Sequence, residues 1–141
     1  MKRPYRGSCD CGAVRYEADL DLADEASRCN CTWCIETRMW KAFALAGDFR
    51  LTQGADMLSD YRAADSRWPA RHIHQCSCSR CGVRGFSKGR LDVAPFNGEF
   101  HAINLATLDD ATPEELATAR VAFQDGRNDA SDRAPAETRH L

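Results

Sequence analysis

The sequence lacks the features that would place it in several large classes. No stretch approaches the ~20 apolar residues of a membrane span, so no membrane partner is expected. The opening Met1-Lys2-Arg3-Pro4-Tyr5-Arg6-Gly7 has no apolar run, so no signal peptide is expected either. That points to the cytoplasm, where thiols stay reduced. Neither sign of charge dominates: the formal net charge is −2, and no block of basic residues stands out. A nucleic-acid partner is therefore not expected, because such domains usually carry a clear basic excess. There is no internal repeat and no low-complexity segment. With 141 residues, 43% hydrophobic and 28% charged, the chain reads as a single globular domain over 1–141, ending in a polar tail from about residue 127.

Cysteine is what the chain has in excess. Eight cysteines fall in three clusters, Cys9-x-Cys11, Cys29-x-Cys31-x-x-Cys34 and Cys76-x-Cys78-x-x-Cys81. Neighbours in a C-x-C are poorly placed to form a disulfide with each other, and a cytoplasmic setting disfavours a disulfide framework. A zinc ion bound tetrahedrally by thiolates at ~2.3 Å needs sulfurs roughly 3.8 Å apart. Cysteines one or two residues apart on a knuckle supply such pairs. Two pairs from distant segments then complete a site and tie those segments together.

Two divisions of the ligands are open: two closed four-cysteine sites, or one closed site and one three-cysteine site with a position left for water or substrate. Cys29, Cys31 and Cys34 are three ligands within six residues. Cys9 and Cys11 need distant partners, and the Cys78-x-x-Cys81-Gly82 knuckle is the natural pair. Cys76 is left either as a buried small hydrophobe or as a fourth ligand closing the second site.

The patterning between the clusters predicts a mainly β fold of short antiparallel strands, stapled by zinc, with one short C-terminal helix. Val14 and Tyr16 alternate with Arg15 and Glu17 in a first segment over 7–20, and Asp19 to Glu25 reads as an acidic loop. Further strands are expected over Met39–Leu45, Phe49–Thr52, Met57–Arg62, Leu91–Val93 and Phe100–Leu105, with Ala63–Ala70 as a loop and Arg71–Gln75 leading into the third cluster. The helix is marked by Thr112 as N-cap, Pro113 at its first position and Glu115 completing a capping box. Its expected face is Leu116, Ala119, Arg120 and Phe123, ended by Gly126.

Three motifs in order resemble the glutathione-dependent formaldehyde-activating (GFA) enzyme family. They are Gly7-Ser8-Cys9-Asp10-Cys11-Gly12-Ala13-Val14-Arg15-Tyr16, Cys29-Asn30-Cys31-Thr32-Trp33-Cys34 and Cys78-Ser79-Arg80-Cys81-Gly82-Val83. The likeness continues through Phe86 to Gly89, Gly98 to Phe100, Asn104 to Asp110 and Thr138 to Leu141, over essentially the whole chain. The resemblance implies two zincs per chain. The positions Cys9, Cys11, Cys78 and Cys81 would hold a structural zinc. Cys29, Cys31 and Cys34 would hold a catalytic one, partly occupied if three thiols alone bind it. The implied activity is that of a carbon–sulfur lyase acting on the adduct of formaldehyde, or a related aldehyde, with glutathione or another small thiol. The alternative is a zinc-stapled β module with two structural zincs and no catalysis.

A thiol tripeptide carries two carboxylates, so its pocket should hold cations. Candidates are Arg38, Lys41, Arg62, Arg67 and Arg71. His72 and His74 share strand parity with Cys76 and Cys78 and are candidates for a general base. His101 reads as a partly buried strand residue and His140 as part of the tail. Trp33, between two ligands, is either an apolar wall beside the metal or packing under the loop. Asp109 and Asp110 are expected to shape the entry to the helix. Trp40 and Trp68 read as core or pocket rim.

Overall fold

The computed structural model describes residues 1–62 and 73–141. Arg67, Trp68, Arg71 and His72 lie outside the described residues. The strands are β1 (Arg3–Ser8), β2 (Arg15–Leu20), β3 (Glu25–Cys29), β4 (Lys41–Leu45), β5 (Phe49–Gln53), β6 (Leu58–Tyr61), β7 (His74–Cys78), β8 (Phe86–Leu91), β9 (Gly98–Asn104) and β10 (Arg120–Gln124). Two short helices, α1 (Thr32–Thr37) and α2 (Pro113–Thr118), complete the elements with a few 3₁₀ turns. No helix among the described residues is long and apolar enough to cross a membrane.

The strands form a three-stranded sheet, β1-β2-β5, and a seven-stranded sheet, β10-β3-β4-β9-β8-β7-β6. Every pairing is antiparallel except β10 on β3, which is parallel over five residue pairs. The mainly β expectation holds.

The core lies where the two sheets meet. Tyr16 of β2 is 1% exposed, stacks on Phe49 of β5 and meets Phe86 of β8 edge-on. Phe49 in turn lies flat on the His101 ring of β9, with centroids 3.8 Å apart. Ile103 and Leu105 are fully buried below them. The alternation read in β2 is this packing: Tyr16, Ala18 and Leu20 point in, and each is buried. A Cβ at Gly7 would collide with the Tyr16 ring, so glycine lets β1 cross the core's largest side chain.

Five elements depart from the sequence reading. The first segment is a hairpin of two strands, with β1 preceding the cysteine knuckle. The expected acidic loop ends in β3, whose Ala26 and Ser27 are buried although its sequence Glu-Ala-Ser-Arg-Cys shows no apolar alternation. The expected strand at Leu91–Val93 lies mainly earlier, as β8. The C-terminal helix stops at Thr118. Its capping box is present, with Glu115 N–H donating to Thr112 Oγ1 and Thr112 N–H to Glu115 Oε2. Arg120, Val121, Ala122 and Phe123 then leave the helix for β10. A β-branched and an aromatic residue fit a pleated strand, and the open edge of β3 offers five partners that a further helical turn would forgo. A second helix, α1, forms inside the middle cysteine motif, where none is predicted.

Asp109 and Asp110 tie the approach to α2 onto β1. Ser8 Oγ donates to Asp109 Oδ1 (2.9 Å), and the Arg6 backbone N–H and Nε donate to Asp110.

Candidate metal centres

Two equivalent turns build the first cluster. After β1, Cys9 N–H donates to the Val14 carbonyl and Gly12 N–H to the Cys9 carbonyl. After β7, Cys78 N–H donates to the Val83 carbonyl and Gly82 N–H to the Cys78 carbonyl. Gly12 and Gly82 both have positive φ, +76° and +78°, the left-handed region that closes each knuckle and favours glycine. The turns bring the sulfurs of Cys9, Cys11, Cys78 and Cys81 within 4.8 Å of one another. Cys9–Cys11 and Cys11–Cys78 are each 3.7 Å apart, close to the roughly 3.8 Å edge of a zinc–thiolate tetrahedron. The donor set therefore fits a tetrahedral metal. Backbone N–H groups of Cys11 and Val83 hold the Cys81 thiol down at about 6, so it is ready to bind as thiolate.

The second cluster is local. Cys29 ends β3, Cys31 is the N-cap of α1 and Cys34 lies in its first turn. Cys31 N–H donates to Cys29 Sγ and Cys34 N–H to Cys31 Sγ, both at 3.4 Å, so each sulfur orients the next residue. All three sulfurs lie within 4.8 Å of one another, and among the described residues no fourth Cys, His, Asp or Glu joins them. Hydrogen bonds from Cys31 and Cys34 pull the Cys29 thiol well down against the opposing effect of burial, while Cys29, Cys31 and then burial raise Cys34.

Lys41, the first residue of β4, is only 9% exposed and donates from Nζ to Cys34 Sγ at 3.5 Å. A buried ammonium beside three thiols offsets the negative charge they carry when ionised. On the other side, the 125–130 turn presses on the cluster. A Cβ at Gly126 would overlap Cys29 Sγ and come 3.3 Å from Cys31 Cβ. Asp125, 6% exposed, accepts from Asn30 Nδ2 (2.8 Å) and Asn128 Nδ2 (2.9 Å), while Arg127 N–H donates to Asn30 Oδ1 (2.9 Å). The residue between Cys29 and Cys31 is thus fixed from outside the motif. Three sulfurs, a cation and close backbone cover fit a metal with one free position.

A crevice of about 10 Å³, room for little more than one water, opens beside Cys29 and Cys34, lined also by Arg28, Arg38, Met39 and Leu141. Arg38 caps α1 in the left-handed region (φ 55°) and donates to the His140 carbonyl at 2.8 Å, which brings the tail against the pocket. Arg28 lies over the Trp40 ring; burial and then the Arg38 cation lower its pKa.

Cys76 joins neither cluster. It is 8% exposed within the core, donates to the His74 carbonyl, and burial followed by Asp60 pushes its thiol up to about 11. It is the buried small hydrophobe of the two readings. His74 Nδ1 pairs with Asp60 Oδ2 at 2.7 Å, and Arg62 lies 3.9 Å from the same carboxylate. Neither joins the cysteines. Trp33 stacks on Tyr61 of β6 beneath the Arg84 guanidinium, walling α1 against the sheet.

Comparison with known proteins accords with this geometry. The family described as "Glutathione-dependent formaldehyde-activating enzyme" matches residues 4–125. The chain belongs to the GFA family. A crystal structure of a Rhodobacter sphaeroides protein, a structural-genomics target, is similar with a TM-score of 0.64 and 26% identity, covering 83% of this chain and 99% of that one. The match spans both clusters, Lys41 and the Asp125 contact of this GFA chain.

The sequence reading missed Arg28, Asn30, Asp125 and Gly126. Arg28 could have been found by its place next to a ligand. The other three depend on β10 lying beside β3, which no local pattern announces.

Proposed function

We propose that this protein is a zinc-dependent carbon–sulfur lyase, making or cleaving the bond between a small thiol such as glutathione and formaldehyde or a related aldehyde. The observation that carries the reading is the three-sulfur cluster beside a buried ammonium, with the one remaining thiol, Cys76, buried elsewhere. Cys9, Cys11, Cys78 and Cys81 would hold one zinc as a staple, and Cys29, Cys31 and Cys34 the other. Zinc in the second site would favour the thiolate of a bound thiol at neutral pH.

In the forward direction the thiolate sulfur bonds to the carbonyl carbon, the C=O π pair moves to oxygen, and the oxygen takes up a proton to become hydroxyl. In reverse the hydroxyl loses its proton, C=O re-forms, and the C–S pair returns to sulfur. Lys41 Nζ, at 3.5 Å from Cys34 Sγ, is placed to hold a hydrogen bond to that oxygen as its charge develops. The stacked Trp33 and Tyr61 limit water on the sheet side of α1, and the Gly126 turn keeps the ligand loop in place. No disulfide links the eight cysteines, so the seven in the two clusters are available as ligands. The reading is of one domain whose first zinc serves the fold and whose second serves the reaction.

The test is to follow S-hydroxymethylglutathione by NMR from glutathione and formaldehyde with fully metal-loaded protein. Formation and breakdown should both exceed the uncatalysed exchange. Unchanged exchange rates at full loading would overturn the proposal.

A further inference from the structure

An open cleft of about 510 Å³ lies beside the second cluster, within the ~300–1,000 Å³ range of small-molecule sites. One wall is the ligand motif itself, through Asn30, between Cys29 and Cys31, and Ile35, which follows Cys34. A second is the turn after β10, through Asp125 and Asn128. The third is the tail, through Pro135, Ala136 and His140, all beyond residue 125, where the family match ends. Ile35 also lines the crevice at Cys29 and Cys34, and Leu141 of that crevice follows His140 of the cleft. The two openings therefore meet along Ile35 and the 140–141 segment. The tail is held at both ends of its span: Asp125 N–H donates to the Arg133 carbonyl at 3.0 Å, and Arg38 donates to the His140 carbonyl at 2.8 Å. Between these anchors Glu137 and Arg139 pair with each other at 2.7 Å. The stretch 134–140 is thus a strap that borders a cleft instead of packing flat against α1.

We infer that residues 134–140 are a specificity strap: the body of the thiol substrate lies in the cleft along the strap while its sulfur reaches the metal centre, so the site selects a peptide-sized thiol over a minimal one. The crevice at the sulfurs has no room for such a body, and the adjoining cleft has. The walls suit a peptide with charged ends. Asp125 and Glu137 are carboxylates, Arg127 is a cation, Asn128 presents an amide, and Ile35 and Pro135 offer apolar contact. A wall already anchored at Arg133 and His140 also reduces what binding must spend on ordering the protein. The inference rests on the proposal that thiols bind at the Cys29–Cys31–Cys34 centre.

The probes are glutathione, a thiol on a peptide body, and 2-mercaptoethanol, a thiol with almost none. Binding of each to the metal-loaded protein is measured by calorimetry. Glutathione should bind on the order of tenfold more tightly, because only its body gains contacts in the cleft. Ala136→Trp and Pro135→Trp each place an indole on the strap wall of the cleft, and Ala136 is exposed, so the larger side chain displaces no packing. Each variant should erase most of glutathione's advantage while both thiols still bind. Equal affinity of the two thiols for the unmodified protein overturns the strap and leaves the thiol centre standing. A full advantage retained in both variants, or an equal loss for both thiols, overturns it as well. Failure of both thiols to bind the unmodified protein overturns the thiol centre and the strap together. The first comparison needs no variant, and the second uses two, so a single substitution that disturbs the tail does not prevent a decision.

Discussion

Two titratable side chains in the core show how position decides what a group can do. His101 lies between Phe49, stacked at 3.8 Å, and Phe86; burial first, and the Lys88 cation second, push it down from 6.5 to about 4. The folded state thus holds this ring neutral where the unfolded chain would bind a proton. From the linkage relation, stability from this group is complete above pH 6.5 and falls as the pH drops from 6.5 towards about 4. His101→Phe keeps the stacked ring and removes the titration. Its thermal midpoint should fall less than that of the unmodified protein between pH 6.5 and 4. Metal release by acid is common to both proteins, so the difference between the two curves is the measurement, and superimposable slopes would refute the assignment. Cys76 is the complementary case. Its thiol is pushed up to about 11, so a residue that is chemically identical to the ligands is kept inert by its place in the core.

At the scale of elements, the second candidate metal centre is a β-strand end, a helix cap and a turn pressed together. Gly126 is the contact point of the turn. Its side-chain space is occupied by Cys29 Sγ, so Gly126→Ala forces either the turn or the ligand loop to move. The expected result is at least a tenfold weaker hold on the second metal, read by chelator competition, with the first metal and the far-UV spectrum retained; tenfold corresponds to about 1.4 kcal/mol. Unchanged competition at both sites would show that the contact is slack. The sequence made α2's start and the two glycine-closed knuckles legible, because caps and tight turns are local chemistry. It hid α1 because six residues that carry one ligand and are capped by another have no room for an apolar period. It hid β3 and β10 for a different reason: their partnership joins segments nearly a hundred residues apart, as in the Asn30–Asp125 hydrogen bond. The run Leu116, Ala119, Arg120, Phe123 has helical spacing, yet the chain turns to strand at Arg120 because the β3 edge is available. Asn30, Asp125 and Gly126 become site residues through that same pairing, so they could not be read before it.

Across the whole molecule the two cysteine clusters have unequal mechanical roles. The first joins the turn after β1, in the three-stranded sheet, to the turn after β7, in the seven-stranded sheet, with Cys11 and Cys78 separated by 67 residues in sequence. The second gathers three sulfurs from six consecutive residues and closes no long loop. Structural thiolate zincs contribute apparent binding energies of ~10–16 kcal/mol, as large as the ~5–15 kcal/mol net stability of a whole domain. A metal that clips two sheets therefore decides whether they stay together. Cys78→Ser should lose the native near-UV and far-UV spectra along with the metal. Cys31→Ser should lose one metal per chain, measured by elemental analysis, and keep both spectra. The same order should appear on chelation: the second metal leaves first without a spectral change, and unfolding accompanies loss of the other. Unfolding by Cys31→Ser would mean that α1 and the turn at Gly126 depend on the second metal as the sheets depend on the first. The division of labour between the clusters would then be wrong, and the lyase reading would lose the free ligand position on which it stands.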